Sequence, residues 1–192
     1  ANKIKFKKLR SGKSLIDELA LFLKQGKFIL GICNGFQVLV KMGLLPNIEG
    51  NLTQEVTLTR NDSGRFIDKW CKCVVDSDKT GFFEGISEID LPIRHGEGKL
   101  VIRDKKIKDF IVKNKLNCLC YSENPNGSEL DCAALTDLSG QVLGMMPHPE
   151  AALSIYNHPM WPLFNKEAAS EGEGLKIFKN IVRKIENGTG KN

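Results

Sequence analysis

Two short segments of this 192-residue chain carry residue types that together perform covalent catalysis. The first, Gly31-Ile32-Cys33-Asn34-Gly35, has the shape of a nucleophile elbow, in which a strand turns sharply into a helix and raises the central side chain above the sheet edge. The two glycines relieve crowding at such a turn. Unpaired amides and the dipole of the following helix stabilise negative charge where the sulfur sits, and the Asn34 amide is aimed where an oxyanion would form. The second segment is Met146-Pro147-His148-Pro149-Glu150. A residue before proline is driven out of the helical region, so His148 is expected to be extended. Residues two apart on an extended chain project the same way, which lets Glu150 reach His148 and fix its tautomer. A fixed imidazole is the general base that a cysteine nucleophile needs. Alone, the cysteine motif fits a buried thiol in an ordinary strand-to-helix turn equally well; the histidine and glutamate tip the balance toward chemistry.

These residues need elements to hold them. Leu15, Ile16, Leu19, Phe22 and Leu23 have helical spacing, with Ser14 and Asp17 suited to the first turn and Gly26 to the stop. The apolar run 27–32 follows at once and reads as a buried parallel strand, and helical spacing resumes from Gly35 to Met42, so Cys33 falls between strand and helix. Beyond Pro46 the period becomes two. Leu52, Gln54, Val56 and Leu58 alternate with threonines and Glu55, and a second run spans Phe66 to Val75; with the turn Asn61-Asp62-Ser63-Gly64 between them they are expected to pair. Ile89, Leu91 and Ile93 lead as a strand into Arg94-His95-Gly96-Glu97-Gly98, and Ile107, Phe110 and Ile111 mark a short helix. Three short strands follow at 117–122, 132–136 and 142–146, then a helix from Gly174 to Glu186 with Leu175, Phe178, Ile181, Val182 and Ile185 on one stripe, and a tail, 188–192, expected to be mobile. Alternating helices and strands give the α/β class.

Gly31 to Gln37 together with Pro147-His148-Pro149-Glu150 resembles the class I, or triad, glutamine amidotransferases. Cys33-Asn34-Gly35-Phe36-Gln37, His95-Gly96-Glu97-Gly98, Asn124-Pro125-Asn126-Gly127-Ser128 and Gly144 to Glu150 are similar to the glutaminase components of phosphoribosylformylglycinamidine synthases, from about Phe28 to the last helix. The resemblance implies a Cys33 nucleophile, a His148 base and a Glu150 orienter. Gln37 would bind the substrate glutamine, with Asn34, His95, Gly96 and Glu97 beside it. Taken alone, Gln37 reads as a solvated polar residue, His95 as a structural histidine and Asn124 to Ser128 as a turn. The implied fold is an open, mostly parallel, flavodoxin-like sheet with an additional antiparallel strand region. The implied partner is a synthetase subunit or domain that uses ATP and magnesium to convert formylglycinamide ribonucleotide to its amidine, with no cofactor in this chain. The family opens with a β-α-β unit whose glycine-rich loop donates a second oxyanion N–H. Nothing here corresponds to it, so residues 1–192 are expected to form one N-terminally incomplete amidotransferase domain, a very poor glutaminase by itself.

Composition bounds the alternatives. Hydrophobic residues at 41% and charged residues at 27% match an ordinary globular domain, and no apolar stretch approaches the length of a membrane span, which with the lack of a signal segment points to the cytoplasm. The net charge of +5 includes a lysine run from Lys3 to Lys13; because it alternates with Ile4, Phe6 and Leu9 and has no aromatic platform, it is read as a solvated face over a partly buried one, not a nucleic-acid surface. Cys71-x-Cys73 and Cys118-x-Cys120 invite a zinc site, but structural zinc sites use C-x₂₋₄-C, and these pairs are read as small core residues without metal or disulfide. His158, in Asn157-His158-Pro159-Met160-Trp161, is read as structural or interface-forming. Other functions open to the same pattern are the glutaminase of another class I system, a cysteine peptidase or small stress-protein relative, and a non-catalytic module on the same fold.

Overall fold

The computed structural model describes residues 5–164 and 171–189. Helix α1 (Leu15–Lys24) begins with a capping box, in which the Ser14 hydroxyl accepts from the Asp17 amide and the Asp17 carboxylate accepts from the Ser14 amide. Its Leu15, Ile16, Leu19 and Leu23 pack inward, whereas Phe22, expected on the same stripe, lies at the edge of that arc and is 37% exposed under the Lys27 ammonium. Then come β1 (Ile29–Ile32), α2 (Asn34–Lys41), β2 (Val56–Thr59), β3 (Ile67–Val75), β4 (Glu88–His95), β5 (Lys99–Ile102), α3 (Lys105–Lys113), β6 (Asn117–Tyr121), β7 (Cys132–Thr136), β8 (Val142–Met145) and α4 (Gly174–Thr189).

Six strands form one sheet in the order β1-β8-β7-β6-β3-β4, and β2 and β5 form a separate antiparallel ribbon. The α/β class and the antiparallel region are as expected. Among the described residues the parallel share of the sheet is the single pair β1 and β8; the other four pairings are antiparallel. Connection length is the reason: residues 137–141 between β7 and β8 allow only a hairpin, whereas a parallel crossover needs a dozen residues or more. β2 and β3 are not partners of each other, as the turn between them had suggested. β2 pairs with β5, and β3 with β4 and β6, because the Asn61 amide donates to the Gly96 carbonyl at 3.0 Å and peels the chain toward the loop after β4.

Alternation along the strands feeds two cores, so that Val142 and Leu143 on β8 belong to opposite ones. One holds Phe36, Leu39, Leu100, Ile107 and Ile111 beneath α1, α2, α3 and the ribbon. The other holds Leu91, Ile93, Leu119, Met145 and Ile177. On α4 the expected stripe holds in part: Ile181 packs in a row with Gly174 and Ile177, and Leu175 and Phe178 are half-buried, but a Cβ at Gly174 would lie 2.1 Å from the Pro149 carbonyl oxygen, and this close approach turns Val182 and Ile185 outward, 51% and 45% exposed. The helix continues to Thr189, so the first two residues of the expected mobile tail are helical, and 190–192 lie outside the described residues. Near the N-terminus Lys7, Lys8 and Lys13 are solvated as expected, but Phe6 and Leu9 are exposed too and the Lys5 ammonium is tucked onto the Leu52 carbonyl at 2.6 Å; Ile4 lies outside the described residues. This segment is a turn closed by the Lys8–Ser14 bridge, not a strand with two faces. No described helix is long and apolar enough to cross a membrane.

The sheet is curled. β1 and β4 are its opposite edges, yet Cys33 at the end of β1 reaches the Arg94 carbonyl of β4 at 3.9 Å, and the His148 amide beyond β8 donates to the Pro92 carbonyl of β4 at 2.8 Å. Helix α2 rests on β8 at Gly144, where a Cβ would lie 2.1 Å from Phe36 Cδ2 and 2.7 Å from Leu45 Cδ1. Gly144→Ala is therefore expected to lower stability by about 1–3 kcal/mol through overpacking, measured by chemical denaturation; stability equal to the parent would contradict this packing.

Candidate active site

At the elbow Cys33 has φ 51° and ψ −104°, a region that L residues avoid and that costs on the order of 1–3 kcal/mol. Both of its own backbone polar groups are fastened. The Cys33 amide donates to Met145 on β8 at 2.8 Å, and its carbonyl accepts from the Gln37 amide at 3.1 Å, the first turn of α2. Gly31 is needed for the close approach of helix to strand, since a Cβ there would lie 2.5 Å from Leu39 Cδ1 and 2.8 Å from the Gly35 carbonyl carbon. The amides of Asn34 and the next two residues precede the first intrahelical donor, Gln37, and no side chain caps α2.

His148, at φ −107° and ψ 84°, is outside the helical region as expected but short of a fully extended conformation; it is carried in from β8 and pinned to β4 by its bond to Pro92. Its Nδ1 lies 2.5 Å from Glu150 Oε1. A carboxylate oxygen accepts, so Nδ1 carries the proton and the neutral ring has a bare Nε2. That nitrogen is buried and makes no hydrogen bond of normal geometry among the described residues. The Cys33 thiol beside the ring is the main influence holding its pKa above the ordinary imidazole value, Glu150 adds to it, and burial opposes both. A thiol next to a carboxylate-oriented imidazole, with helix amides close by, can form and then hydrolyse a thioester.

The loop after β4 forms the facing wall. Gln37 donates its side-chain amide to the Glu97 carbonyl at 2.8 Å, which joins the first turn of α2 to this loop; the Glu97 side chain itself is exposed and Gly96 half-buried. His95 is buried, and burial first and His148 second push its pKa down to about 4, so it is neutral. Asn61 holds this loop through the His95 carbonyl, the His95 ring and the Gly98 amide. From behind, Asn126 and Ser128 donate to the Gly98 carbonyl at 3.0 and 3.2 Å, so the segment Asn124 to Ser128 is more than a turn. Asn61, Asn126 and Ser128 were not singled out from the sequence as site residues. The signal available was slight: a glycine-rich loop lacks side chains to fix itself and must borrow amides from elsewhere.

His158 lies outside this constellation. Its Nδ1 accepts from the Met160 amide at 3.1 Å, its Nε2 donates to Asp90 at 3.0 Å, and its ring stacks edge-on to Trp70, so both nitrogens are occupied. A cleft of about 470 Å³ beside it, lined by Trp70, Asp90, Ile155, His158 and Phe164, contains no atom of Cys33, His148 or Glu150. Cys71, Cys73, Cys118 and Cys132 are buried free thiols whose pKa burial raises, and the register shifts beside Cys120 leave it half-buried, with burial pushing its pKa up to about 11. Among the described residues no three His, Cys, Asp or Glu side chains are grouped to hold a metal ion.

Residues 1–183 match the family model of the CobB/CobQ-like glutamine amidotransferase domain. The chain is 39% identical over 196 residues to phosphoribosylformylglycinamidine synthase subunit PurQ of Dehalococcoides mccartyi, covering 91% of this chain and 73% of that protein. It superposes on a chain of the PurLQS structure from Thermotoga maritima with a TM-score of 0.65 and 32% identity, over 90% of this chain and 69% of that one. A second Thermotoga maritima structure, a glutamine amidotransferase at 16% identity and a TM-score of 0.51, covers 88% of this chain and 66% of that one and shares the fold.

Because the thiol is the largest of the influences raising the His148 pKa, Cys33→Ala should lower it, leaving burial opposed only by Glu150. The imidazole would then lose its proton at a lower pH than in the parent. Titration of the His148 ring by NMR checks this, and an upward or absent shift would show that the thiol does not act on the ring.

Proposed function

The chain belongs to the CobB/CobQ-like glutamine amidotransferase domain family, and from that premise we propose that Cys33, His148 and Glu150 are its catalytic triad. It is a glutaminase component of phosphoribosylformylglycinamidine synthase, which supplies ammonia from glutamine in purine biosynthesis. The observation that carries the triad is the strained Cys33 beside a His148 whose far nitrogen is bound by Glu150.

In the proposed reaction His148 Nε2 takes the thiol proton, the Cys33 sulfur attacks the side-chain carbonyl carbon of glutamine, and the Asn34 amide holds the resulting oxyanion. His148 gives a proton to the departing ammonia, then draws one from the water that hydrolyses the glutamyl thioester to glutamate, so one base serves both halves. Glu150 keeps the imidazole in the tautomer that can do this. Gln37, His95, Gly96 and Glu97 line the substrate side, Gln37 and Glu97 being supported in this by their mutual hydrogen bond.

Ammonia released into neutral water becomes ammonium, which is not a nucleophile, so the product needs a sheltered path to its acceptor. That requirement is met by docking to the synthetase, where ATP and magnesium drive conversion of formylglycinamide ribonucleotide to its amidine; this chain carries no phosphate-cradling loop for that step. Its expected location is the cytoplasm, where those substrates are.

Two measurements on the enzyme assembled with its synthetase test the triad. Cys33→Ala is expected to abolish glutamate release from glutamine while sparing synthesis driven by added ammonia, since only the nucleophile is removed; substantial remaining glutaminase activity would exclude Cys33. Glu150→Gln is expected to leave roughly 10 to 10² times more turnover than His148→Ala, because a carboxylate that orients the base transfers no proton itself. Parent-level turnover in His148→Ala would rule out the assignment.

A further inference from the structure

A role for Asn61 in catalysis rests on the proposed reading of the Cys33 site as a glutamine site. Asn61, in the bend between β2 and β3, is 3% exposed and has every polar side-chain atom engaged. Its Nδ2 donates to the carbonyls of Arg65 and His95 at 2.9 and 2.8 Å. Carbonyls only accept, so the orientation of the amide is settled by its partners. Oδ1 then receives the Gly98 amide at 3.1 Å and faces His95 Nδ1 at 3.1 Å. An amide oxygen cannot donate, and therefore His95 Nδ1 carries the ring proton and Nε2 only a lone pair.

That lone pair is unused. His95 Nε2 is buried and without a hydrogen bond among the described residues, and His148 Nε2 is buried with no bond of normal geometry. The two rings are near enough for charge on His148 to act on His95, which burial and that charge keep neutral. The His95 ring occupies the space a Cβ at Gly98 would fill, 2.3 Å from Cε1 and 2.4 Å from Nδ1, so the glycine and Asn61 fix the ring's position from two sides. A buried acceptor left bare is unfavourable unless a donor arrives. The glutamine carboxamide brings two N–H donors to the centre where His148 must meet its nitrogen.

We propose that Asn61 is a positioning residue which, by fixing His95 as the Nδ1–H tautomer, presents Nε2 as the acceptor for an N–H of the glutamine carboxamide and so holds the amide nitrogen beside His148 while the C–N bond breaks. The product glutamate has oxygens where glutamine has the NH₂ group. It offers this acceptor no donor, so the same nitrogen separates substrate from product.

In the enzyme assembled with its synthetase, Asn61→Leu should lower glutamine-dependent kcat/KM by about 10²-fold, with ammonia-driven synthesis unchanged. His95→Gln should reproduce the loss, and adding Asn61→Leu to it should add little, because the asparagine acts through the ring. In the chain labelled with ¹⁵N-histidine, His95 should show a protonated Nδ1 and a bare Nε2 at neutral pH, and Asn61→Leu should mix the tautomers. The proposal is overturned by a protonated Nε2 in the parent, by unchanged kcat/KM in a folded Asn61→Leu, or by additive losses in the double variant. Should Asn61→Leu not fold, the parent tautomer and the His95→Gln kinetics still decide. A parent complex that releases no glutamate from glutamine would instead sink the glutaminase reading, whatever the tautomer.

Discussion

The amide of His148 donates to the carbonyl of Pro92, and the geometry of the site rests on this bond between the segment leaving β8 and β4, which is not a neighbour of β8 in the sheet. Pro92 lies on the edge strand β4 and has no N–H of its own to offer, so its place there ends pairing on the donor side while leaving a carbonyl free to accept. The segment leaving β8 takes that carbonyl, and the sheet closes far enough for the Cys33 sulfur to reach Arg94 on the same strand. The pairing of β1 with β8 carries His148 toward the elbow, and its bond to Pro92 fixes where the imidazole is held.

Two kinds of support share the work around that closure. Apolar packing sets the elbow: Gly31 and Gly144 let α2 lie directly on β1 and β8, with Phe36 filling the contact. Polar side chains set the opposite wall, where glycines at 96 and 98 leave the backbone without packing of its own, and Asn61, Asn126 and Ser128 saturate its amides and carbonyls. A buried amide with all its bonds made is rigid, and a partly satisfied one would be costly, so this wall has one well-defined shape.

Much of this was legible in the sequence because it is local. The elbow needs glycine at fixed offsets from Cys33, the flanking prolines force His148 out of helix, and Glu150 follows at the spacing that lets it bind the ring. The element order was readable for the same reason, since strand and helix periods are properties of a few consecutive residues. What was not readable depends on pairs far apart. Asn61 and His95 are 34 residues from each other, and a hydrogen bond between side chains leaves no periodic trace. The partners of β2 and β3 do not follow from the turn that joins them, because register there is set by the loop after β4. The stripe on α4 holds only in part because Gly174, a residue without hydrophobicity, decides which side faces in.

The curl has a kinetic meaning as well. Cys33 and Arg94 are separated by 61 residues, and the ribs between them include β3, β6, β7 and β8, each of which must be in register before the two edges can meet. Local pieces such as the capped α1 and the short hairpin of β7 and β8 have small loops to close and form early, whereas contacts of long sequence separation come late and slowly. The thiol and the imidazole meet through the parallel pairing of β1 with β8, Ile32 beside Met145, which is itself a contact of long sequence separation and so forms late; until it forms, the chain holds no competent nucleophile.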